Sequence, residues 1–186
     1  MKPSFCPLAF IAVMLLTACN TVADVNPFSK DTIDVGCPTL GILKEAEKLK
    51  KFRLGGIKEP SGVVFDAKIS RVVGKCSVTQ SKLTANINSG LEVLADGGPA
   101  LKEDSAQLEY FVAVADPDEK IVSRETFALK LEFGKDSRKA RAIDYVSFSI
   151  PNATPEVLRG YRIFYGIQMT RDELDRSINQ AGSVNK

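Results

Sequence analysis

The chain has 186 residues, with 25 Lys and Arg against 23 Asp and Glu, 44% hydrophobic residues, four Cys, no Trp and no His. That length suits one ordinary domain with a sizeable core, and the near-even charge gives no electrostatic case for nucleic acid as the main partner. Without histidine, a Ser-His-Asp triad, a Cys-His pair, a His-ligated zinc and a histidine pH switch are all excluded.

Met1-Lys2 supplies a short positive start, and the stretch from Leu8 to Leu16 is almost wholly apolar. A membrane-spanning helix needs about 20 such residues. Position and length therefore predict the apolar region of a secretory signal peptide, which puts Cys6 in discarded sequence. The run ends in Leu16-Thr17-Ala18-Cys19, which resembles the lipobox of bacterial lipoproteins. The resemblance covers the signal peptide alone. It implies removal of residues 1–18, then a diacylglycerol and acyl chains such as palmitate on Cys19. Two or three such chains hold a protein durably on a membrane, at about 0.8 kcal/mol per buried methylene. Residue 20 is Asn, where an Asp in enteric lipoproteins favours retention in the inner membrane. The analogy implies the outer membrane, with the domain facing the periplasm.

The oxidising periplasm predicts a structural disulfide between the remaining cysteines, Cys37 and Cys76. On the chain-entropy model it contributes roughly 4 kcal/mol. Neither residue stands in a CxxC pair, so a zinc cage and a redox role are weaker readings. Residues 19–36 read as a lipidated N-terminus and flexible linker, 37–181 as a single domain and 182–186 as a disordered tail. Within 39–52, Leu40, Leu43, Ala46 and Leu49 stand at helical spacing, which predicts a short N-terminal helix with its lysines solvated. Pro38 and Gly41 fit an irregular start equally well.

From residue 63 the period becomes two. Val63, Phe65, Ala67 and Ile69 alternate with polar residues, and a shorter piece around Cys76–Val78 is expected as a further strand. Leu83, Ala85, Ile87, Leu91, Val93 and Ala95 share one parity, with a bulge or bend expected at Ser89-Gly90. Further strands are expected around Leu108–Val114, Phe127–Phe133, Val146–Ile150 and Tyr161–Met169. One dry and one wet face per sheet suggest a mainly β protein, an antiparallel β-sandwich of immunoglobulin or fibronectin-III type, with a partly open barrel as the alternative. The Cys…Trp…Cys core of true immunoglobulin domains is missing. Thr170 and Glu173 form a capping box, which starts a C-terminal helix running to about Gln180.

Chemistry is sparse. A Ser-x-x-Lys pair occurs only at Ser183–Lys186, in the tail, and there is no GxSxG, Walker loop or GxGxxG. The carboxylates Asp116, Asp118, Glu119, Glu103 and Asp104 could in principle serve glycoside hydrolysis, but their neighbours favour turns. Lys135, Arg138, Lys139 and Arg141 crowd one loop and are candidates for anionic partners. Tyr161, Arg162 and Phe164 belong to a strand apolar on both faces, a composition that interfaces favour. These features predict a non-enzymatic binding module on the outer membrane, without cofactor or metal, that meets an envelope protein. The alternative is a carrier or chaperone for a lipid or hydrophobic polypeptide, which predicts an open apolar cavity between the sheets.

Overall fold

The computed structural model describes residues 32–34, 38–55, 58–79 and 83–183, with side chains described within 38–179. The signal peptide, Cys6, Cys19, Asn20, Cys37 and Lys186 lie outside the described residues. The strands are β1 (Thr32–Asp34), β2 (Thr39–Ile42), β3 (Lys48–Phe52), β4 (Val63–Thr79), β5 (Thr84–Gly97), β6 (Ser105–Ala115), β7 (Ile121–Glu132), β8 (Lys139–Ile150) and β9 (Arg162–Ile167). Two helices complete the set, α1 (Pro155–Leu158) and α2 (Arg171–Ser183).

Alternation determines which face each strand buries. Along β5, Ala85, Ile87, Ser89, Leu91, Val93 and Ala95 are buried, while Asn86, Asn88, Glu92, Leu94 and Asp96 point the other way. β4 pairs antiparallel with β5 along nearly its whole length, and β8 covers the other edge of β5. β3 and β1 share the remaining edge of β4, β3 at its start and β1 at its end. The result is a five-stranded sheet. The second sheet has four strands in the order β2-β9-β6-β7, with β2 parallel to β9 and the rest antiparallel. Their inner faces pack into one core that includes Ile69, Ile87, Tyr110, Leu131, Ile163 and Tyr165. The protein is mainly β, with two facing sheets and few helices.

Three expectations change. The helix expected over 39–52 is absent: β2, a 3-10 turn at Lys44–Ala46 and β3 replace it. Helical spacing would bury one stripe but would leave the backbone edges of β9 and β4 unpaired. The extended chain pairs Thr39–Ile42 with β9 and Lys48–Phe52 with β4 and still buries Leu49. Secondly, Thr32–Asp34, expected in the linker, pairs with Ser77–Thr79 and so belongs to the sheet. Thirdly, Ser89-Gly90 pairs regularly with Gly74 and Val73, and the irregularity falls between Ile69 and Arg71 of β4. Gly90 instead makes room for a ring, since a Cβ there would lie 3.2 Å from Tyr145 Cε1.

The C-terminal helix forms where its capping box places it and runs to Ser183, past Gln180 and into the segment expected as a tail. The Thr170 N–H donates to the Glu173 carboxylate at 2.9 Å, and the Glu173 N–H donates to Thr170 Oγ1 at 3.3 Å. Lys51 on β3 donates to the same Glu173 at 2.8 Å, which ties α2 to the sheet. Burial opposes ionisation of Glu173, but Lys51 and the capping bonds outweigh it and hold the carboxyl below its ordinary range. Among the described residues no helix is long and apolar enough to cross a membrane.

Candidate functional site: a cleft between the sheets

The two sheets meet differently along their two sides. On one side β2 bridges them: it pairs with β9 and rests Leu40 against Gly74 of β4, where an added Cβ would lie 2.5 Å from Leu40 Cδ1. On the other side β7 and β8 leave a tight turn, in which the Gly134 N–H donates to the Lys139 carbonyl at 3.0 Å and the Arg138 N–H to the Gly134 carbonyl at 2.8 Å. The strands then part. β7 pairs with β6 in one sheet, and β8 pairs with β5 in the other. A cleft of about 490 Å³ lies between them. Val112 and Val114 line it from β6, Val122 and Phe127 from β7, and Val146 and Phe148 from β8. Tyr161 and Ile150 also face it, and Ser123 and Glu125 are polar members of its β7 wall. Volume and lining match what small-ligand and peptide sites require, mostly apolar with a few polar groups.

A polar layer crosses the core beside the cleft. Tyr110 stacks on Phe127, with centroids 5.3 Å apart, and donates its hydroxyl hydrogen to the Asp144 carboxylate at 2.8 Å. Burial, reinforced by Asp144, pushes the Tyr110 phenol far above the ordinary tyrosine range. One layer deeper, the Tyr165 hydroxyl donates to Ser89 Oγ, which donates to the Val146 carbonyl at 3.2 Å. Burial also raises the Tyr165 phenol, with Ser89 opposing it. Both hydroxyls therefore stay protonated and act as fixed struts between the sheets. Among the described residues no cluster of Cys, Asp and Glu could hold a metal ion.

The residues singled out from sequence do not gather into one site. Of the basic group, Arg138 donates to the carbonyls of Gly97 and Gly98, Lys139 pairs with Asp96 at 2.6 Å, and Arg141 pairs with Glu92. Lys135 stands exposed in the turn. Tyr161 lines the cleft, whereas Arg162 pairs with Glu119 at 2.9 Å. Phe164 faces the opposite side of its sheet, packed with Leu43, Ala46, Phe111 and Met169. β9 is thus apolar on both faces because it is an inner strand with a small second core above it. Asp116 is a turn residue, accepting from the N–H groups of Asp118 and Lys120 at 3.0 and 2.9 Å. Cys76 is buried; Cys19 and Cys37 lie outside the described residues.

Glu92 serves the surface of the larger sheet. The Ser70 hydroxyl, at 2.7 Å, and then the Arg141 guanidinium hold its carboxyl below the ordinary value of 4.5. A depressed folded-state pKa contributes stability that is complete above the unfolded value and lost as pH falls through the folded one. Urea midpoints of the wild type and Glu92→Gln should therefore differ most at neutral pH and converge as pH drops below 4.5. A gap independent of pH would contradict this.

Sequence reasoning missed Glu125 and Asp144 and took Ser89 only for a bulge, yet each leaves a signal there. Glu125 shares the parity of Phe127, Leu129 and Leu131, Asp144 that of Val146, Phe148 and Ile150, and Ser89 that of Ile87 and Leu91. A polar residue on the dry parity of a strand must either bond inside or line an opening. Comparison with protein-family models, curated proteins and solved structures finds no match to this chain.

Proposed function

We propose that this protein is a non-catalytic binding module, lipid-anchored through Cys19 to the outer membrane and facing the periplasm, with the β7–β8 cleft as its binding site. The observation that carries the reading is the parting of β7 and β8, which keeps an apolar surface open while the core beside it is filled. Ile121 and Val122, half exposed at the upper end of β7, extend that surface outward. The anchor confines the module to one surface, so modest contacts suffice for occupancy. We read the body as a sandwich related in plan to immunoglobulin and fibronectin-III modules, gaping along one side. We also propose the Cys37–Cys76 disulfide. Asp34 pairs with Ser77 and Leu40 packs on Gly74, so the chain on both sides of Cys37 is held within two residues of Cys76.

The carrier reading has a specific observation in its favour, the apolar lining of the same cleft. One experiment separates the readings. A photoreactive amino acid replaces Phe148 in the cleft or Tyr145, which is 78% exposed on the outer face of the larger sheet. Crosslinks in cells should form from position 148 and not from 145. A protein-sized adduct supports the binding module, and a lipid-sized adduct supports the carrier. Adducts from 145 alone would overturn the assignment of the cleft.

A further inference from the structure

We propose that the occupant of the cleft is an extended polypeptide segment that adds as a β-strand and places a Lys or Arg side chain against Glu125. The inference rests on the cleft being the binding site and adds what binds there.

The cleft walls are strand edges. Along 121–127 of β7 and 144–150 of β8 each strand pairs on one side only. Apart from the Asp144 carboxylate that accepts from the Tyr145 N–H at 2.8 Å, no hydrogen bond among the described residues meets the cleft-side edges of these stretches. An acyl chain would leave those N–H and C=O groups unanswered, whereas an extended backbone answers them along its length. Strand geometry then fixes the pattern of the guest. Every second side chain turns inward, onto Val112, Val114 and Phe148, and the intervening ones face water.

Glu125 supplies the charge preference. It lines the cleft and, among the described residues, enters no ion pair, whereas Lys130 and Glu132, further along the same strand, pair with each other at 2.8 Å. A carboxylate beside apolar walls favours a cation in the guest and disfavours an acid.

The test presents a library of random twelve-residue peptides to the full chain carrying Cys19→Ser, with a fluorescent sixteen-carbon fatty acid as the second probe. Enriched peptides should alternate apolar and polar residues and carry an inward Lys or Arg. Glu125→Lys should switch that preference to Asp or Glu, and N-methylation of alternate peptide amides should weaken binding at least tenfold. Val122→Arg, at an exposed position on the mouth, should weaken every enriched peptide. Binding of the fatty acid without peptide enrichment, weakened by Val122→Arg, would overturn the strand inference and leave the cleft as the site. If neither probe binds, or binding ignores both Val122→Arg and Glu125→Lys, the cleft reading falls as well.

Discussion

Ile87→Ala should lower the free energy of unfolding by about 2–5 kcal/mol, the range for removing a buried aliphatic side chain and leaving a cavity. Ile87 is fully buried in the first half of β5, between Cys76 of β4 and Phe148 of β8, and faces the opposite sheet. Leu94 on the same strand has the other parity and is 43% exposed. Leu94→Ala should therefore change stability by no more than about 0.5 kcal/mol. Urea denaturation at unchanged slope measures both. A larger loss at Leu94 than at Ile87 would mean that β5 is registered with the wrong face inward, since a one-residue slip exchanges the two sets.

Ser89→Ala should cost about 1–3 kcal/mol, because it strands the fully buried Tyr165 hydroxyl without a partner. Tyr165→Phe should cost less, about 0.5–1.5 kcal/mol, since Ser89 keeps its bond to the Val146 carbonyl. The double variant should cost clearly less than the sum, because removing both hydroxyls leaves nothing unsatisfied. Strict additivity in the cycle would show that the two groups do not bond across the sheets. The strut matters to the site as well as to the fold, since its acceptor, Val146, is part of the cleft wall.

Sequence alternation revealed the six strands from β4 to β9 because each carries its own dry parity. It did not reveal β1, β2 and β3. These are short, and their identity depends on partners far away in the chain: β2 lies along β9, more than a hundred residues on. Leu40, Leu43, Ala46 and Leu49 are spaced alike for a helix and for strand, turn and strand, so only the distant edges decide between them. The C-terminal helix was legible because its capping box is local. The cleft was not, since it arises from β7 and β8 joining different sheets after their turn. Its marks were nonetheless present: acids at Glu125 and Asp144 interrupt otherwise apolar parities, and aromatic clustering at Tyr161–Tyr165 drew attention to a strand that mostly builds core.

Amide hydrogen exchange on the full chain, in the envelope fraction where we propose it resides and again after purification, tests the proposed binding role of the cleft most directly. The amides of 121–127 and 144–150 that face the cleft should exchange slowly in the envelope fraction, where the proposed guest would cover them, and much faster once purified. The central strand β5, paired on both edges, should stay slow in both states. Identical rates at 121–127 and 144–150 in the two states, or a change confined to the outer row of Val73, Gly90 and Tyr145, would contradict a binding site between β7 and β8.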